Sequence, residues 1–183
     1  MADASLTSQA PSSWVRRFQP AIPLVAGARS TVLDIAAGGG RHTRFFLALG
    51  YSVVGIDRDT SGLADLRANP AAEIIEADLE DGSPWPFESR RFAGVVVTNY
   101  LWRPLLARLP DLVAPRGALI YETFAQGNER FGRPSNPAHL LREGELLEAV
   151  RGRLMVVAYE HVEITEPRPA IVQRIAAVRV AIS

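Results

Sequence analysis

The sequence predicts a doubly wound α/β fold: a mostly parallel, seven-stranded sheet that ends in an antiparallel C-terminal hairpin. Three observations carry this. Apolar, β-branched runs alternate with helix-patterned stretches from Thr31 to Phe124, and alternation of that kind builds a parallel sheet covered on both faces. The first run leads into three consecutive glycines, Gly38 to Gly40, ahead of a helical pattern. The chain closes with two long β-rich stretches joined only by TEPRP, a connection that permits an antiparallel pair and forbids a parallel crossover.

Residues 1–30 form a Ser/Pro/Ala-rich N-terminal segment, expected to be mobile up to Trp14. There SWVRRFQPAIPLV suggests a short amphipathic piece able to close over the domain as a lid. Residues 31–183 form the domain proper. TVLDI (31–35) is a strand, RHTRFFLALG (41–50) a helix with a glycine stop, and YSVVGID (51–57) a buried strand, which makes one βαβ unit. Asp59 or Thr60 can cap a second helix through about Ala68. AEIIEAD (72–78) and RFAGVVVTN (91–99) are further strands, LWRPLLARLPDLV (101–113) is a helix interrupted or delayed by Pro104, and GALIYETF (117–124) is the fifth strand. PAHLLREGELLEAV (137–150) reads as a helix, and LMVVAYEHVEI (154–164) with AIVQRIAAVRVAI (170–182) as the closing hairpin.

A glycine turn between strand and helix lets a ligand approach the backbone. Arg41-His42-Thr43 follows Gly40 where a phosphate-cradling loop needs Lys-Ser/Thr, so a nucleoside triphosphate site is disfavoured. A dinucleotide fingerprint is partly met by Gly38-x-Gly40 and by Asp57 at the end of the second strand, but Thr43 stands at its third glycine. Asp34, just ahead of the loop, would repel a pyrophosphate and attract an ammonium group. With these residues, Val32-Leu33-Asp34-Ile35-Ala36-Ala37-Gly38-Gly39-Gly40 resembles the first motif of the class I S-adenosylmethionine-dependent methyltransferases, a Rossmann-like family. Leu112-Val113-Ala114-Pro115-Arg116-Gly117-Ala118-Leu119 resembles the turn into that family's fifth strand, with Arg116 at a usual glycine.

The resemblance spans residues 31–124 and implies S-adenosyl-L-methionine as cofactor. It implies that Gly38 and Gly40 leave room for the ligand, that Asp34 helps hold its amino group, and that Asp57 accepts from the ribose hydroxyls. It also implies Asp78 at the adenine with Leu79 as an apolar wall, Arg41 at the donor carboxylate, and Ala36, Arg58 and Asn99 beside the same ligand. Within the family, GRHTRFF, TNYLW and YETFAQGNERFGRPSNPAHLLREGELLE are similar to small bacterial methyltransferases related to the tellurite-resistance type.

Methyl transfer from a sulfonium needs donor and acceptor held in line and shielded from water. An acceptor that is not already anionic needs a base, for which Tyr100, Glu122 and His139 are candidates. Trp14, Trp102, Arg130 and Arg133 are candidates for acceptor contact, the two arginines favouring an anionic or electron-rich acceptor. The rival readings are an NAD(P)-dependent oxidoreductase and a non-catalytic S-adenosylmethionine-binding domain.

Composition narrows the classes further. Twenty basic and twenty acidic residues leave zero formal charge, so no footprint for nucleic acid is present. Cysteine is absent, which excludes thiol nucleophiles and thiolate metal sites. Every basic side chain is an arginine, so lysine Schiff-base chemistry is excluded too. His42, His139 and His161 lack metal-ligand spacing, and no metal is expected. With no secretory or membrane-spanning pattern, the expectation is a cytoplasmic monomer or homodimer acting on a small molecule.

Overall fold

Side chains alternate across the strands, and that alternation divides the interior into two layers. The computed structural model describes residues 10–25 and 29–181; the rest of the opening segment expected to be mobile, residues 1–9, and the end of the last β-rich stretch lie outside them. The strands are β1 (Thr31–Ile35), β2 (Ser52–Asp57), β3 (Ala72–Glu76), β4 (Phe92–Thr98), β5 (Val113–Phe124), β6 (Met155–Ile164) and β7 (Ala170–Val178). They form one sheet in the order β3-β2-β1-β4-β5-β7-β6. The first five are parallel, while β7 runs antiparallel to both β5 and β6. This is the predicted architecture.

Leu33, Ile35, Val95, Val97, Leu119 and Tyr121 face one layer, beneath α3 (Arg103–Leu106), α4 (Leu109–Leu112) and α5 (Glu145–Val150). Val32, Val96, Ala118 and Ile120 face the other, beneath α1 (Ser13–Phe18) and α2 (Arg41–Ala48). Burying both faces of β1 and β4 explains why TVLDI and VVV carry no alternating polar residues.

Helices are shorter than the sequence suggests. The stretch after Asp59 forms only a 3-10 turn, Ser61–Leu66. The helix expected over 101–113 divides into α3 and α4, each beginning with a proline near its first position, Pro104 and Pro110, because proline lacks the N–H a helix interior needs. That expected over 137–150 divides into a 3-10 turn, Pro137–His139, and α5, since Gly144 takes φ 72° ahead of α5.

Candidate active site

Parallel strands that end together leave their carboxyl-terminal loops around one crevice, and in doubly wound sheets ligands bind there. Here it is a cleft of about 440 Å³. Its lining follows the strand order: Ala77, Asp78, Leu79 and Glu80 after β3; Asp57 and Arg58 at β2; Ala36 after β1; Asn99, Tyr100 and Leu101 after β4; Thr123 and Phe124 at β5. Pro134 and His139 complete it from the loop that follows. Of the residues singled out by sequence, Ala36, Asp57, Arg58, Asp78, Leu79, Asn99, Tyr100 and His139 are brought together.

Two of these hold unusual backbone. Ala36 and Asn99 adopt φ 55° and 56°, a left-handed conformation that is strained for residues with a Cβ. The strain sits at adjacent strand ends facing the cleft, and at Ala36 it explains why the resembled motif often carries glycine. Asp57 fixes the glycine loop: Oδ2 accepts from the Gly38 amide at 2.8 Å and Oδ1 from the Asp59 amide at 3.0 Å. Asp78 likewise accepts from the Glu80 amide at 2.9 Å, which shapes the turn at the β3 end.

Gly38 and Gly40 serve different ends. At Gly38 a Cβ would meet nothing within 4 Å, so open space lies over that backbone. At Gly40, with φ 77°, a Cβ would fall 2.4 Å from Leu63 Cδ2 and 2.6 Å from Arg44 Nη1. Gly40 is thus demanded by packing rather than by room for a ligand. Arg44, which sequence reasoning missed, braces the loop by donating to the Gly39 carbonyl at 2.5 Å, the Gly62 carbonyl at 2.9 Å and Asp65 at 2.6 Å.

Several expected site residues face elsewhere. Asp34 belongs to the strand parity of the α2 layer; it is buried and its Oδ2 accepts from the Thr43 hydroxyl at 2.6 Å, so it anchors α2 instead of lining the cleft. Arg41 starts α2 half-buried and also lies outside the lining; its charge acts on Asp34 and His42. Glu122 shares the parity of Ile120, turns away from the cleft, and pairs with Arg174 at 3.1 Å and the Ser12 hydroxyl at 2.7 Å. That engagement removes it as a base for the cleft. Trp14 is 1% exposed, with its indole donating to the Ile175 carbonyl at 3.2 Å and Arg174 stacked on it at 4.7 Å. Tryptophan prefers such a site, apolar with one polar partner, so α1 packs as part of the core.

The acceptor candidates change as well. Trp102 packs half-buried on the α3 side of the core. Arg130 spans to Glu163 at 3.1 Å, donates to the Gly127 carbonyl and covers the Phe131 ring, while Arg133 is exposed outside the lining. Loop 125–137 is held by Asn128, which is buried, donates to the Pro134 carbonyl at 2.9 Å and accepts from the Ile171 amide at 3.2 Å. Tyr100 is pushed well above the usual phenol range, first by burial and then by the Glu80, Asp78 and Asp57 carboxylates. It therefore stays protonated at neutral pH. Among the described residues no group of three acidic or histidine side chains could hold a metal, and no helix is long and apolar enough to cross a membrane.

Beneath the loop, Asp34 and His42 load the fold in opposite directions. Burial raises Asp34 from 3.8 to about 6, so the folded chain holds the extra proton across that window and stability falls as pH rises. Burial, with Arg41, lowers His42 from 6.5 to about 3, so the unfolded chain holds the extra proton there and stability rises with pH. His42 is neutral above that range, its Nε2 accepting from the Ser12 amide at 3.1 Å. Asp34→Asn is expected to expose the His42 slope: denaturant titrations from pH 4 to 6 should steepen by about 1.4 kcal/mol per pH unit relative to wild type. Equal slopes would contradict a buried, strained Asp34 charge.

Residues 32–117 match the family model described as "Methyltransferase domain". No curated protein matches the sequence. Among solved structures, an S-adenosylmethionine-dependent methyltransferase from Mesorhizobium loti is 18% identical with TM-score 0.67, over 92% of this chain and 98% of that one. TehB from Haemophilus influenzae is 15% identical with TM-score 0.66, over 90% of this chain and 60% of that one. A Burkholderia thailandensis 1,6-didemethyltoxoflavin-N1-methyltransferase, with bound 1,6-didemethyltoxoflavin and S-adenosylhomocysteine, is 20% identical with TM-score 0.62, over 92% of this chain and 79% of that one. Residues 32–117 thus match a methyltransferase domain, and the chain has the fold of the S-adenosylmethionine-dependent methyltransferases among these structures.

Proposed function

We propose that this protein transfers a methyl group from S-adenosyl-L-methionine to a small-molecule acceptor by in-line displacement. The observation that carries this is the charge of the cleft: Asp57, Asp78 and Glu80 line it at the β2 and β3 ends, against one cation, Arg58. Such a lining suits a cationic nucleoside with a ribose diol and no phosphate, and it opposes the pyrophosphate of a nicotinamide cofactor. The bound donor supplies an electrophilic methyl carbon.

The chain's own residues then bind and orient. Asp57, already fixed by the Gly38 and Asp59 amides, presents carboxylate lone pairs to the ribose; Asp78 and Leu79 flank the adenine; Gly38 leaves space for the amino-acid tail. Ala36, Asn99 and Arg58 complete that wall. Leu101, Phe124 and Pro134 shield the β4 and β5 end from water. Residues 31–183 act as one unit, with α1 packed beneath it, as a monomer or homodimer. Titration calorimetry with S-adenosylhomocysteine and NADH in parallel tests the reading. S-adenosylhomocysteine is expected to bind at least about 100-fold more tightly, equivalent to roughly 2.7 kcal/mol; tighter NADH binding would replace the methyltransferase reading with the oxidoreductase one.

A further inference from the structure

Arg103 at the start of α3 has three tasks at once. Its Nε donates to Glu145 Oε1 at 2.8 Å, Nη1 donates to the Ala138 carbonyl at 2.8 Å, and Nη2 donates to the Leu140 carbonyl at 2.8 Å. The two carbonyls bracket His139, a residue of the cleft lining. Glu145 is itself nearly buried and also accepts from the Arg142 amide at 2.8 Å. Burial works to raise its carboxyl, but the Arg103 and Arg142 hydrogen bonds outweigh this and hold it below the usual range, so the pair stays ionised. A planar guanidinium with fixed donors can hold three acceptors in one geometry; a lysine ammonium could not. The exposed 3-10 turn carrying His139 is thereby tied to α3 and α5, two elements of the core.

The end of the cleft that His139 shares is uncharged. Parallel strands lie about 4.8 Å apart, so the ends of β3 and β5, four strand spacings from one another, are separated by roughly 19 Å. The carboxylates gather at the β2 and β3 side, where they also act on the Tyr100 phenol, whereas Leu101, Thr123, Phe124 and Pro134 surround the other. Arg130 is occupied by Glu163, and Arg168, over the Phe124 ring and donating to the Arg133 carbonyl, does not line the cleft. An anionic acceptor would find no lining arginine there and three carboxylates further along. A neutral one fits.

Resting on the methyltransferase reading above, we propose that Arg103 and Glu145 are positioning residues that fix His139 at the acceptor end of the cleft, where its imidazole takes the proton of an uncharged hydroxyl-bearing acceptor. The acceptor oxygen forms its bond to the methyl carbon as the carbon–sulfur bond breaks, and that electron pair stays with sulfur to leave a neutral thioether. The acceptor proton passes to His139 and from there to water. Tyr100, half-buried and held protonated by burial and by the carboxylates of the other side, does not take that proton.

The chain has three histidines, so the imidazole Cε1–H signals can be assigned with His139→Gln and followed by NMR. In wild type saturated with S-adenosylhomocysteine, at least one of phenol, catechol and resorcinol is expected to shift the His139 signal, and selenite and tellurite are not. Arg103→Lys and Glu145→Gln are expected to weaken that response at least 10-fold while S-adenosylhomocysteine affinity stays within 3-fold; any hydroxyl probe that is methylated should lose kcat in these variants with little change in the KM for the donor. Glu145→Gln carries the test if Arg103→Lys does not fold. No shift with any hydroxyl probe, an equal shift with the anions, or an unaltered response in both variants overturns the inference. Loss of S-adenosylhomocysteine binding by wild type is instead a failure of the underlying methyltransferase reading.

Discussion

Asp57→Ala is expected to weaken S-adenosylhomocysteine binding by at least about 100-fold, or roughly 2.7 kcal/mol. The magnitude follows from two effects of one carboxylate. Charge-assisted hydrogen bonds contribute about 1.5–3 kcal/mol each, and a ribose diol offers two donors to Asp57. The same carboxylate holds the Gly38 amide at 2.8 Å, so its loss also frees the glycine loop that the ligand must lie against. Asp57→Asn keeps one acceptor oxygen and should recover about half of the loss in free energy. Calorimetry on both variants checks the order. An alanine variant that binds as tightly as wild type would remove Asp57 from the site.

Gly40→Ala is expected to destabilise the protein by about 3 kcal/mol, combining the left-handed backbone cost of about 1–2 kcal/mol with overpacking of about 1–3 kcal/mol. The overpacking is specific: the new Cβ would lie 2.4 Å from Leu63 Cδ2 and 2.6 Å from Arg44 Nη1, the latter being the side chain that braces the loop. Gly38→Ala, with φ 52° but open space above it, should cost only about 1–2 kcal/mol of stability. It should instead weaken S-adenosylhomocysteine at least about 10-fold, since the added methyl occupies the ligand's approach. Denaturant melts paired with calorimetry separate the two glycines. Equal stability losses, or unchanged ligand affinity in Gly38→Ala, would contradict the division of roles.

The parallel core was legible because burial of both faces leaves a local trace. TVLDI matches β1 residue for residue, and the glycine triplet and the hairpin with its short TEPRP joint lie where they are expected. The helices were less legible: prolines 104 and 110 start new helices where the apolar spacing alone suggests one continuous helix. Within the site, residues at strand ends could be placed because topology puts strand ends together. Glu122 was misplaced although the needed signal was present, since the alternation that sets Tyr121 toward α3–α5 sets Glu122 toward Trp14. Asp34 shares that parity, and its burial behind Thr43 follows from it.

Other parts left no local trace. Arg103 reaches Ala138, Leu140 and Glu145 across a sequence distance of 35 to 42 residues, and nothing in RPLL signals those partners. Arg130 meets Glu163 only because the 125–137 loop is pinned by Asn128 against β7. These are products of tertiary packing, which sequence periodicity does not encode.

A crystal structure of the protein with S-adenosylhomocysteine shows whether this cleft holds the donor. The ribose is expected within hydrogen-bonding distance of Asp57, the adenine beside Asp78 and Leu79, and the sulfur directed toward Tyr100, Phe124 and His139. Ligand density outside this cleft, or an adenine at the β5 end with the sulfur at β3, would contradict the account.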